Sequence, residues 1–440
     1  MERRNQVALG IVLLLGVTVF FLYRAPERGE RVGERARPVP KLAKEQIKKV
    51  TLTSKGKTVT LQRRKERWYV TTPADSPADK YASETLQRKL EELTFGDLIT
   101  ERKEKHAAFE VGADKAVRVQ VSDDKTVLAD FYLGKAETGF TMFRKHGEDK
   151  VYQAVGFLRS TFDKEARLWR DRRILAAKRE DVRQVEFVTA AGTATLKRSG
   201  PKAAWTVENT PVPLPKLDEG AINNALAALQ SLSAYDFDDT ISAEDAGLEP
   251  PQASITLSLE GGSKVKLLVG KKGKEHTWVK GSAQSQIFIV KHHSLKSLVL
   301  RPVDLKDKTV LTFDKDKLLS VHLEQLQGAS PQRVLLERKD LGWTGNGKKI
   351  ASIKKITAAV KTLSKLKAHA FAQHQAEELG LTNPLWRLTL KLADGSTHVL
   401  QVGGVNKEGS HGAQIDGSED IFLLRKHTLD QFLLEPSKFQ

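Results

Sequence analysis

Around the turn Lys55-Gly56-Lys57 the chain alternates apolar and polar residues, with Val50-Thr51-Leu52-Thr53 on one side and Thr58-Val59-Thr60-Leu61 on the other. That period of two predicts a β-hairpin. Trp68-Tyr69-Val70, beyond a basic turn at residues 63–67, predicts a third strand. Pro73 and Pro77 break the pattern, and the period then changes. Tyr81, Leu86, Leu90 and Leu93 fall on one helical face, with Glu84, Arg88 and Glu92 turned outward. Past Phe95 and Gly112, alternation resumes near residues 117–121, 127–133, 140–143 and 151–153. A short helix near 157–162 and the segment Trp169-Arg170-Asp171-Arg172 close the pattern.

The same order is written twice more. Trp68-Tyr69-Val70 returns as Trp205-Thr206-Val207 and Trp343-Thr344-Gly345, at spacings of 137 and 138 residues. Gly112-Ala113 returns as Gly247-Leu248 and Gly380-Leu381, and Leu133-Gly134 as Val269-Gly270 and Val402-Gly403. Val151-Tyr152 returns as Ile287-Phe288 and Ile421-Phe422, and these last three landmarks recur at spacings of 133 to 136. Leu305-Lys306-Asp307-Lys308 stands 136 residues beyond the Trp169 segment. Four landmarks in one order at nearly constant spacing predict three copies of a module of about 135 residues. The expected class is α+β: an N-terminal single transmembrane helix, then three tandem repeats of an antiparallel-sheet-plus-helix module, one helix covering one sheet face. The expected boundaries are 1–23 for the anchor, 24–45 for an Arg/Glu/Pro-rich linker, and 46–178, 179–314 and 315–440 for the repeats. The glycine after each helix suggests a turn needing positive φ, with Pro250 and Pro384 close behind.

The anchor reading rests on Val7 to Tyr23, 17 residues without a charge. As a helix they would span about 25 Å at 1.5 Å per residue, somewhat less than a hydrocarbon core of about 30 Å. Arg4 and Arg24 could snorkel across the difference. A cleaved signal peptide is the competing reading, but no small-x-small cleavage site follows. Residues 24–41 offer little to bury and read as an extended tether. Arg3 and Arg4 favour a cytoplasmic N-terminus, whereas Arg24, Arg28, Arg31, Arg35 and Arg37 load the other side.

Composition narrows the chemistry. The absence of cysteine removes disulfides, thiolate metal sites and cysteine nucleophiles together. A formal charge of +17 attracts polyanions, although bases and acids are interleaved through all three repeats. The recurring residues are Trp, Leu, Ile, Val and Gly, which read as core and turn. Trp68, Trp205 and Trp343 therefore read as core, with a stacking platform as the alternative. Asp79 has a loose counterpart in Asp218, and module three offers Ala351-Ser352-Ile353 there.

His292-His293 is an adjacent pair, with His427 matching His293, but lysines flank them where a metal would want carboxylates. His369 and His374 lie five apart, outside the spacing of a zinc helix. Gly270-Lys271-Lys272-Gly273-Lys274 lacks the spacing of a phosphate-binding P-loop. Asp123-Asp124 and Asp238-Asp239 read as turn acids. No catalytic, cofactor-binding or metal residue is assigned, no ligand residue is identified, and the chain reads as a non-enzyme without a cofactor.

The apolar N-terminal stretch, Trp68-Tyr69-Val70 before Ala78-Asp79, and the helix leucines together resemble a bacterial family catalogued as domain of unknown function 4340. So do the turns Gly247–Pro250 and Gly380–Pro384, and Val269-Gly270, Val151-Tyr152 and Trp169-Arg170-Asp171. The resemblance covers residues 47–440; module one lacks the proline after Gly112-Ala113, and module three lacks the Trp-Arg-Asp close. It implies membrane-anchored extracytoplasmic companions of ABC-type export systems similar to gliding-motility auxiliary transporters. The expected role is thus a membrane-tethered scaffold or accessory subunit of a transport or envelope assembly. It would be single-pass in the inner membrane, with its body periplasmic and protein partners in that complex. The alternative is an extracytoplasmic binding module for anionic lipid or envelope polymer; nucleic acid is not an expected partner.

Overall fold

The computed structural model describes residues 37–282, 284–328, 332–339, 342–349, 353–372 and 375–433. They divide into two units, 37–173 with 235–239, and 174–234 with the described residues from 240 onward. In the first unit the strands are β1 (Lys49–Ser54), β2 (Lys57–Arg64), β3 (Arg67–Thr72), β4 (Ser76–Pro77), β5 (Phe95–Thr100), β6 (Val117–Ser122), β7 (Val127–Glu137), β8 (Phe140–Lys145) and β9 (Val151–Val155). They form one antiparallel sheet in the order β4-β3-β2-β1-β6-β7-β8-β9-β5. The predicted hairpin is β1 against β2, with Thr53 opposite Thr58. The excursion carrying the helix and β5 is inserted between β3 and β6, so β1 and β6 meet in mid-sheet with Val50 opposite Val121.

The second unit repeats this arrangement. Its first strands are β10 (Val182–Thr189), β11 (Gly192–Lys197) and β12 (Thr206–Asn209); β13 (Asp236–Asp238) groups with the first unit. Then come β14 (Ala253–Leu259), β15 (Lys264–Lys272), β16 (His276–Gly281) and β17 (Ile287–Lys291), and the order is β12-β11-β10-β14-β15-β16-β17. The third set is β18 (Leu318–Gln325), β19 (Gln332–Lys339), β20 (Gly342–Gly345), β21 (Lys348–Lys349), β22 (Ala370–Phe371), β23 (Trp386–Leu392), β24 (Thr397–Val405), β25 (Ser410–Ile415) and β26 (Ile421–Arg425). Its order, β21-β20-β19-β18-β23-β24-β25-β26-β22, matches the first sheet strand for strand.

The expected class needs correction. Strand accounts for 43% of the chain and helix for 17%, so the fold is predominantly antiparallel β rather than α+β. Sequence periodicity gave the helices too much weight. Each set has one helix of real length, Lys80–Glu91, Glu219–Ser231 or Ile353–Leu363, and the closing helices run only four or five residues. No helix among the described residues is long and apolar enough to cross a membrane. The expected transmembrane segment, residues 7–23, lies outside the described residues, as does linker sequence 24–36.

Each long helix buries one stripe on its sheet: Leu86 and Leu90, then Ile222, Leu226 and Leu229, then Ile356, Val360 and Leu363. The first two start on an aspartate cap, Asp79 accepting from Ala82 N at 2.8 Å and Asp218 from Ala221 N at 3.0 Å. Trp68, Trp205 and Trp343 are all buried, and Trp68 donates Nε1 to Gln87 Oε1 at 3.1 Å.

The recurring glycines have a sharper cause than turn propensity. A Cβ on Gly134, Gly270 or Gly403 would collide with the carbonyl oxygen of Phe109, Ala246 or Leu379 respectively. Each carbonyl accepts from the next backbone N–H: Lys135 at 2.9 Å, Lys271 at 2.9 Å and Gly404 at 2.7 Å. A bulge follows each glycine, where the register slips between β7 and β8, β15 and β16, and β24 and β25. These hydrogen bonds also correct one landmark. The loop closes through Val111 N to His106 O, Leu248 N to Ala243 O and Leu381 N to Ala376 O. The counterpart of Gly247 and Gly380, both at φ +65°, is therefore Glu110 at φ +53° and not Gly112.

Candidate ligand groove

The closing segments of the first two sets make matching contacts. In the first unit, Arg170 is buried, donates Nε to Ser76 Oγ at 2.8 Å, and pairs with both oxygens of Asp239 at 2.7 and 2.8 Å. Its guanidinium lies 3.7 Å from the centroid of the Phe237 ring. In the second unit, Lys306 reaches Asp420 at 2.5 Å and lies 5.4 Å from the Phe371 centroid. The recurring cation of this segment is thus spent on a structural joint, and Asp239 with it.

Other sequence candidates are also structural. Asp123 accepts from Lys125 N at 2.7 Å and Thr126 N at 2.6 Å, and these backbone donors hold its carboxyl below the usual range. Among the described residues no group of three or more His, Asp or Glu converges on a metal-sized site. His374 lies outside them.

The second unit gathers two sequence features that spacing alone had kept apart. The loop from Gly270 to Lys272 and the pair His292-His293 line one open groove of about 1190 Å³. The meander β15-β16-β17 brings them together, since Lys272 stands opposite Thr277 on β16, and the short helix His292–Leu295 follows β17 directly. His292 is held on both ring nitrogens: Nδ1 lies 3.0 Å from Thr277 Oγ1 and Nε2 3.4 Å from the Lys274 carbonyl. It therefore ties loop to strand.

Lys296, Arg301, Lys308 and His369 supply the remaining basic groups of the lining, none of them assigned as a ligand residue from the sequence. Two of these cations are neutralised. Arg301 forms a fork on Asp304, at 2.8 Å to each oxygen, and Lys308 reaches Asp218 Oδ2 at 3.1 Å. Burial pushes the Asp304 carboxyl up, but the hydrogen bonds from the Arg301 side chain and backbone outweigh it and hold the group below the ordinary carboxylate range. His369 is held below its ordinary value by burial first and by Arg425 second, so its ring is neutral near pH 7.

Lys271, Lys272 and Lys296 differ. All three are exposed on the rim, and among the described residues none has a carboxylate within ion-pairing distance. Aligned on the recurring glycine, the counterparts of Lys271 are Lys135, which pairs with Glu137 at 2.6 Å, and Gly404. Those of Lys272 are Ala136 and Val405, and aligned on His427 the counterpart of Lys296 is Asp430. Among the described residues this carboxylate-free basic rim is a feature of the middle repeat, where Lys271 Nζ lies 5.9 Å from the Trp278 ring centroid.

The model of the family described as Domain of unknown function (DUF4340) matches residues 68–246 and, overlapping them, 205–384. The matches begin on Trp68 and Trp205, one repeat period apart. No curated protein and no solved structure matches the chain.

Proposed function

The chain belongs to the Domain of unknown function (DUF4340) family, and on that premise we propose that it is a non-enzymatic accessory protein that holds an acidic group in the groove of its second unit. The observation that carries this reading is the rim of Lys271, Lys272 and Lys296, left without carboxylate partners beside a groove whose other cations are paired. Unpaired cations around a concavity raise the local concentration of anions, and salt screens that attraction over about 8–10 Å. The full chain should be retained on an anionic matrix at low ionic strength and released as salt rises. Joint replacement of the three lysines by glutamate should abolish retention. Retention unchanged in that variant would place the attraction elsewhere on the basic surface and end this reading.

A setting in an ABC-type transport or cell-envelope assembly, similar to the gliding-motility auxiliary systems, is favoured by the repetition itself. Sheets of one strand order offer a partner the same kind of surface more than once. Affinity capture from gently solubilised membranes should bring down transporter subunits, and recovery of the chain alone would count against the setting. A reporter fused after Gln440 and active on one side of a membrane tests whether the body is extracytoplasmic.

A further inference from the structure

We propose that the groove takes an anionic amphiphile, a single acidic head carrying a short apolar body, rather than a purely polar polyanion. This rests on the anion-binding reading and adds to it the identity of the ligand's other half. Below the lysine rim the lining turns apolar, through Ala190, Ala253, Val269, Leu295, Val299 and Leu300. Ala253, Val269, Leu295 and Leu300 are buried floor, while Val299 is half-buried and Ala190 exposed at the margin. A polyanion has no use for such a floor, because covering apolar surface with a charged chain removes water from the charges without compensation.

An amphiphile satisfies both layers, its head against Lys271, Lys272 and Lys296 and its methylenes on the floor. The Arg301–Asp304 fork and the Lys308–Asp218 pair neutralise two of the groove's cations, so the uncompensated charge is that of the three lysines. At about 1190 Å³ the groove lies above the roughly 300–1,000 Å³ of ordinary ligand pockets and so has room for a head and a short chain. The neutral His369 ring adds no charge that would draw the head away from the rim.

The test uses the full chain carried in phosphatidylcholine nanodiscs, so that the apolar stretch at residues 7–23 is covered, with empty-disc titrations subtracted. Calorimetric titration compares octyl phosphate, glycerol phosphate and octanol. Each buried methylene is worth roughly a fourfold gain in affinity, so even partial seating should make octyl phosphate bind at least about tenfold more tightly than glycerol phosphate. Octanol, which keeps the chain but lacks the charge, should bind more weakly than octyl phosphate. Val299→Asn, at a half-buried position that tolerates a polar group, should weaken octyl phosphate several-fold and leave glycerol phosphate unchanged. Joint charge reversal of the three lysines should weaken both phosphates. Equal affinities for octyl and glycerol phosphate would overturn the amphiphile while leaving anion binding standing. Saturable octanol binding as tight as octyl phosphate would overturn it too, because the rim would then be idle. If neither phosphate binds, this inference and the reading beneath it fall together.

Discussion

Replacing Gly270 by alanine sets a methyl group against the carbonyl of Ala246, inside 3.0 Å, where real Cβ atoms are essentially never found. The methyl also meets the Trp278 carbonyl oxygen at 3.1 Å and the Ala246 carbonyl carbon at 3.2 Å, so sideways relief is blocked by a second strand. The loop from residue 243 to 248 must withdraw, and the Lys271 N to Ala246 O hydrogen bond of 2.9 Å is lost or stretched. Overpacking of this kind costs about 1–3 kcal/mol, and the lost hydrogen bond about 0.5–1.5 kcal/mol. A total near 2–4 kcal/mol is expected, large against the roughly 5–15 kcal/mol that holds a domain together.

Urea unfolding followed by tryptophan fluorescence reads the change, with Gly200→Ala as the control. A Cβ on Gly200 meets nothing within 4 Å, and its φ is not left-handed, so that variant should be neutral or slightly more stable. Gly134→Ala and Gly403→Ala should repeat the loss, because the same carbonyl approach recurs at Phe109 and Leu379. If Gly270→Ala unfolds within about 0.5 kcal/mol of the Gly200→Ala control, a range typical of inconsequential surface changes, the close approach does not explain the recurring glycine.

Three further outcomes follow from the geometry. Asp79→Ala should cost about 1 kcal/mol through loss of the helix cap, and Asp218→Ala more, because Asp218 also accepts from Lys308 at 3.1 Å; thermal unfolding of the two variants compares them. Arg170→Met should destabilise the first unit by about 2–4 kcal/mol, since it strands Asp239 and the Ser76 hydroxyl beside a filled hydrophobic site, and a shift below 0.5 kcal/mol in chemical unfolding would refute the joint. The Asp304 carboxyl is held below its ordinary value, so its contribution is present above the unfolded value of about 3.9 and is lost as pH falls through the depressed one. An acid titration of stability should therefore be flatter below about pH 4 in Asp304→Asn than in the parent chain.

The central strands were legible because burial is one-sided there: Val50, Leu52, Val117, Val119 and Val121 point to one core, and alternation records that directly. Strand β5 was not, because beyond buried Phe95 its residues are mostly half-exposed and show no alternation to read. The left-handed turn in module one was misplaced by two residues because Glu110 fills a position that two copies give to glycine. Its side chain is held by Arg159 at 2.5 Å, so a favourable ion pair stands where sequence logic looks for missing bulk. The fold class was misjudged for a related reason: an amphipathic helix of 12 residues announces itself through spacing, while the edge strands around it carry almost no signal.

The groove was invisible for the opposite reason. Comparing three copies selects what backbone geometry forces on all of them, such as the glycine that admits a carbonyl. Lys271, Lys272 and Lys296 are what the other copies neutralise or omit, so a comparison that keeps only shared residues passes over them. In a chain built this way, recurrence locates the frame, and the proposed anion site lies where one repeat departs from it. The same test applies wherever one repeat leaves a charge unpaired that its siblings either neutralise, as Lys135 is by Glu137, or omit, as at Gly404.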